Sequence, residues 1–63
     1  MHDLDRADRR TAEILIDRAE AAGRDILAEI TTREADTIRP VPAATRRVYA
    51  WVRTILTERE QQR

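Results

Sequence analysis

A chain of 63 residues makes one domain at most, and a domain of this size buries only ~60% of the surface its unfolded form exposes. It has no cysteine, which excludes disulfides and thiolate metal sites, and its longest apolar run, Ile14-Leu15-Ile16, is far too short to span a bilayer. Twelve basic residues, all arginine, balance twelve acidic ones, and the zero net charge excludes a uniformly polybasic or polyacidic chain.

That balance hides a sorting along the chain. Residues 1–38 carry ten Asp or Glu against six Arg, whereas residues 39–63 carry six Arg against two Glu. An acidic N-terminal arm followed by a basic C-terminal helix is the expectation. The large apolar side chains are thirteen Ile, Leu and Val plus Met1, Tyr49 and Trp51, enough for only a marginal solitary monomer. Oligomerisation is the common remedy. No charged-then-apolar leader opens the sequence, and the lack of cysteine fits the cytoplasm, so a cytoplasmic protein is expected.

Helix-forming residues dominate, with glycine only at position 23, and no stretch alternates with the period of a strand. Asp3, Asp5 and Asp8 suit the positive end of a first helix. A stripe of apolar or small residues follows at helical spacing: Leu4, Thr11, Leu15, Ala19, Ala22, Ile26, Ile30 and Thr37. Gly23 can cap a helix, yet the stripe keeps its phase across it, and Glu20 and Arg24 are spaced as a favourable helical pair. The spacing predicts one long helix over about 3–37, bent or broken at Gly23 if anywhere. Thr31 and Glu34 have capping-box spacing and mark a second candidate boundary.

The hard break is Arg39-Pro40-Val41-Pro42, because each proline removes a donor and bars the helical region to the residue before it. Pro42 suits the first turn of a second helix over about 42–61. There Ala44, Val48, Tyr49, Trp51, Val52, Ile55 and Leu56 fill one arc. Arg46, Ala50, Arg53, Thr54 and Thr57 lie opposite, with Arg47 at the edge.

A four-residue connection makes the two helices antiparallel neighbours, an all-α hairpin. A first helix of roughly 50 Å outruns a second of roughly 30 Å, leaving Leu4, Ile14, Leu15 and Ile16 without an intrachain partner. Two-fold pairing of hairpins would cover them. The expected self-association surface is Leu4, Leu15, Ala19, Ala22, Ile26 and Ile30.

Catalytic chemistry is sparse. His2 is the one imidazole, serine and cysteine are absent, and no glycine-rich loop could cradle phosphate. Asp3-x-Asp5-x-x-Asp8 lacks the glycine turn and closing glutamate of a calcium loop, and helix N-terminal charge explains it better. No enzyme, cofactor or metal is expected. Arg46 and Arg53, seven apart with Ala50 and Thr54 between them, could approach a phosphate backbone together with Arg47. Trp51 and Tyr49 read as core anchors before base-stacking platforms.

Ile30-Thr31-Thr32-Arg33-Glu34 with Ile38-Arg39 resembles the opening of the LuxR-type helix-turn-helix domain. Val48-x-x-Trp51-Val52-Arg53-Thr54-Ile55-Leu56-Thr57 looks like the end of its recognition helix. The resemblance covers less than a third of the chain and implies DNA binding by the second helix. The family places a whole scaffold helix between these pieces, and here only Pro40 to Arg47 separates them. The turn that would seat a recognition helix has no room, and no family is assigned on it.

The sequence therefore points to a single non-enzymatic helical domain over 1–63, a homodimerising adaptor or regulator with a protein partner. Nucleic-acid binding through Arg46, Arg47 and Arg53 is the alternative. Membrane-surface attachment by the second helix ranks last, because the first helix needs the same apolar arc.

Overall fold

The computed structural model describes residues 2–62, with side chains from Leu4 to Gln62. His2 and Asp3, read above as a lone imidazole and part of an N-terminal acid cluster, lie outside the described side chains. Among the described residues the chain is all-helical: α1 (His2–Ala21), α2 (Ile26–Ala35) and α3 (Ala43–Gln61). None of these helices is long and apolar enough to cross a membrane.

The single long helix over 3–37 does not form. Gly23 takes a φ of +68°, a left-handed conformation that L side chains rarely adopt. Its N–H donates to the Glu20 carbonyl at 3.1 Å, and the Arg24 N–H donates to the Ala19 carbonyl at 2.8 Å. Those two bonds are the Schellman arrangement that satisfies the last carbonyls of a helix. Two residues on, Asp25 caps α2 by accepting from the Ala28 N–H at 3.2 Å. The break thus follows the stop signal at Gly23 and the start signal two residues later at Asp25, against the continuous phase of the stripe. Thr31 and Glu34 mark no boundary, since both lie inside α2 and the Thr31 hydroxyl donates back to the Leu27 carbonyl.

α2 ends at Asp36, and the segment that follows keeps the proline break expected of it. Pro42 is the N-cap of α3 rather than part of its first turn, and its carbonyl accepts from the Arg46 N–H at 3.0 Å.

The antiparallel hairpin is likewise replaced. Asp8 pairs with Arg47, Arg9 with Glu58 and Glu20 with Arg59, so neighbouring residues of α1 reach points eleven residues apart on α3. α3 therefore packs across α1 and not in a side-by-side register with it, while α2 packs on α1. Reversal at Gly23 changes which face of α1 is covered. Ala12, Ile16 and Ala19 are buried, with Leu15 at the edge, a line turned one residue from the predicted stripe. Ala12 and Ala19 are small, which lets neighbouring helices of the same chain approach closely.

The core gathers Ala12 and Ile16 from α1, Ile30 from α2, and Val48, Val52 and Ile55 from α3. Leu15, Ile26, Tyr49, Trp51 and Leu56 pack around it half-buried. The amphipathic assignment of α3 holds, with Val48, Val52 and Ile55 inside and Arg46, Arg47, Arg53 and Thr54 outside. The molecule is flat, 38 × 33 × 19 Å, and exposes 5085 Å². A compact monomer of 7.3 kDa would expose about 4,200 Å².

Candidate functional site

Two surfaces could meet a partner, an apolar cleft where the helices converge and the outer face of α3. The cleft follows from the turn at Gly23. By reversing the chain there, the turn sets Ile26 and Ile30 of α2 beside Leu15 and Ala19 of α1, and Tyr49 of α3 closes the third wall. The space enclosed is about 320 Å³ and opens to solvent. Its rim is polar: Arg24 and Glu29 form an ion pair at 3.3 Å, and Arg33 stands at the end nearer the α2–α3 loop.

Four of the six residues assigned to self-association, Leu15, Ala19, Ile26 and Ile30, line this cleft. They do not form a free helix face, because Ala19 and Ile30 are buried by their own chain. Leu4, 60% exposed, and Ala22, also exposed, sit apart from it. The uncovered rod that called for a dimer is absent: Ile16 is fully buried within one chain and Leu15 packs on the core. Of the four residues expected to lack cover, Leu4 and Ile14 remain exposed.

The outer face of α3 is less free than its sequence suggests. Arg47 donates from Nε to the Asp8 carboxylate at 3.1 Å, with the Asp8 side chain only 15% exposed. Arg53 bonds the Glu34 carboxylate, and Arg59 reaches Glu20 at 3.3 Å. Arg46 joins no ion pair among the described residues, but its charge also acts on Glu34. The acids of the first half thus meet the arginines of the second within one molecule. Such exposed pairs contribute little to stability individually, and their main effect here is to neutralise the arginine face. On its other flank Arg9 lies over the Trp51 ring, 5.2 Å from its centroid, and reaches Glu58 at 3.5 Å. Trp51 is therefore a half-buried anchor covered by a guanidinium, and no base could stack on that face without displacing it.

The hydrogen bond from Arg53 holds the Glu34 carboxyl below its ordinary value of 4.5, aided by the charges of Arg53 and Arg46 and opposed by desolvation. A carboxyl depressed in the folded state stabilises the fold above its unfolded value, and that contribution is lost as pH falls through the folded value. Glu34→Gln should therefore be less stable than the wild type at neutral pH and indistinguishable from it well below pH 4.5. Urea titrations at both pH values check this, and an equal gap at both would show that the carboxylate charge is not responsible.

No group of three or more His, Asp or Glu able to hold a metal comes together among the described residues. No protein-family model matches the chain, and comparison with curated proteins and with solved structures gives no match.

The sequence missed the cleft because its walls come from three helices whose relative placement depends on one turn. Tyr49 was visible on the apolar arc of α3, but nothing in the sequence set it opposite Ile26. Ile38 was missed as well. It stands 88% exposed in the α2–α3 loop, and the signal available was an isoleucine flanked by Thr37 and Arg39 in a segment that cannot be helical.

Proposed function

We propose that this chain is a small non-enzymatic interaction protein, of the adaptor or regulator kind, that self-associates and binds a macromolecular partner through the cleft between its helices. The observation that carries this reading is an open apolar cleft with a charged rim on a chain that has little apolar surface to spare. At about 320 Å³ the cleft is at the small end for an organic ligand and suits one or two protruding side chains of a protein. A half-buried aromatic wall, Tyr49, is the kind of surface on which interface anchors pack.

The test is quantitative affinity capture from the source cell with wild type, a cleft variant (Ile26→Glu) and an arginine-face variant (Arg46→Ala, Arg47→Ala and Arg53→Ala together). Ile26 opens α2, where a carboxylate complements the helix dipole, so Ile26→Glu alters the cleft at limited cost to the helix. A protein partner held by wild type and the arginine-face variant but lost from Ile26→Glu is the expected result. Equal capture by all three would remove the cleft as the binding site.

A second reading, nucleic-acid binding by Arg46, Arg47 and Arg53, rests on the exposure of all three on one side of α3. Each phosphate contact made by Arg47 or Arg53 would compete with Asp8 or Glu34, which favours the protein-binding reading. Retention of nucleic acid by wild type and its loss from the arginine-face variant would reverse that preference.

A further inference from the structure

The loop that follows α2 displays Ile38 on a hydrogen-bonded backbone. Asp36 Oδ1 accepts from the Ile38 N–H at 2.9 Å and from the Arg39 N–H at 3.2 Å, folding the chain around one carboxylate. The Arg39 carbonyl accepts from Arg33 Nη1 at 2.7 Å. Three hydrogen bonds thus hold the backbone on both sides of an isoleucine that its own chain leaves 88% exposed. An apolar side chain facing solvent forgoes the gain of burial, and a backbone already held by hydrogen bonds loses little conformational freedom when the side chain docks.

Arg33 links this knob to the cleft. Its side chain lines the cleft at one end, while its guanidinium holds the loop at the other. The knob and a hole of about 320 Å³ therefore lie on either side of one residue. We propose that the cleft receives Ile38 of the partner subunit in a two-fold dimer of this chain, so that each copy supplies one knob and one hole. This rests on the cleft reading above and names its occupant.

Charge and area support a second copy. The cleft rim carries the Arg24–Glu29 pair and the loop carries Asp36, held by Arg33 and its own backbone, so Arg39 is the loop charge left to meet the rim of a second copy. The Arg39 guanidinium joins no ion pair among the described residues and across the interface can share the Glu29 carboxylate that Arg24 holds at 3.3 Å. The area exposed, 5085 Å², exceeds that of a compact monomer of this mass by about 900 Å². A standard interface buries about 800 Å² on each partner. Because knob and hole sit on one molecule in adjoining positions, a two-fold axis between them makes both joints at once and closes the assembly.

The test is sedimentation or light scattering of the full chain across concentration. Wild type should reach twice the chain mass, and Ile38→Asp should weaken the dimer roughly a hundredfold or more, since both joints lose their anchor. With Ile38 this exposed, the variant should keep its helical circular dichroism. Ile26→Glu should weaken association from the other side of the joint. An equimolar mixture of Ile38→Asp, with its cleft intact, and Ile26→Glu, with its knob intact, retains one working joint. It should associate more tightly than either variant alone and more weakly than wild type. Dimers of Ile38→Asp as tight as wild type, or a mixture no tighter than its components, would overturn the knob-in-cleft contact. A single-chain mass for wild type up to about 1 mM would overturn the second copy as occupant. That last result would leave the cleft open to a different protein, and the capture experiment decides that question independently.

Discussion

Ile16→Ala is expected to cost about 2–5 kcal/mol and to leave the chain largely unfolded at ambient temperature or melting more than about 10 °C lower. Ile16 is fully buried at the crossing of α1 and α3, where Ala12, Val52 and Ile55 share its cluster. Removing its outer carbons forfeits their transfer free energy and leaves a cavity that a core drawn from three helices can only partly close. A 63-residue domain at the usual 0.05–0.15 kcal/mol per residue has about 3–9 kcal/mol in total, so one cavity removes a large share of it. Leu4→Ala is the control, because Leu4 is mostly exposed and its loss should stay within about 0.5 kcal/mol. Urea titration followed by circular dichroism measures both. Equal, small effects would mean that α1 does not bury Ile16 against α3.

Gly23→Ala should destabilise by about 1–2 kcal/mol, the cost of holding an L-residue in the left-handed region. No heavy atom lies within 4 Å of the added methyl carbon, so collision adds nothing and the backbone alone sets the penalty. Gly23→Val should cost more, since a branched side chain is still less tolerant of positive φ. The chain has one escape, which is to continue α1 through residue 23 and restore the unbroken stripe from Leu15 through Ala22 to Ile26. Fusion would add helix but pull Ile30 away from Val48 and Val52. It would therefore appear as higher helical content with a broader, less cooperative melt. A neutral or stabilising Gly23→Ala with unchanged cooperativity would contradict the left-handed cap.

The contest at Gly23 shows how far the sequence could be read. The periodic stripe and the Glu20–Arg24 spacing argued for continuity, while glycine and Asp25 argued for a stop and a new start. Each signal is local and of similar size, and the periodic stripe tips a reading of residues alone toward one long helix, which does not form. What decides the matter is non-local: only a reversal brings Ile30 onto the core with Ile16 and Val52. The same reversal shifts the covered face of α1: of the predicted stripe Ala19 is buried and Leu15 packs on the core, while Ala12 and Ile16 are buried in place of Leu4, Thr11 and Ala22. On α3 the reading succeeded, because one strongly amphipathic helix with arginines opposite its aliphatic residues can be buried in only one orientation.

The arginine face carries the same lesson for function. Its residues were identified correctly as exposed, yet their neutralisation by Asp8 and Glu34 depends on side chains 39 and 19 positions away. Pairing at that range is set by how helices pack and leaves no periodic trace.

Composition and patterning by themselves determined that the chain is helical, that it breaks at the two prolines, and which side of α3 faces inward. These are consequences of backbone sterics and of 3.6-residue periodicity, which act within a few residues. Tertiary structure decided the rest: three helices instead of two, the packing of α3 across α1, the cleft walled by Leu15, Ile26 and Tyr49, and the exposed station of Ile38. Those features depend on free-energy differences between whole packings, in which a short turn at Gly23 redirects every contact that follows it.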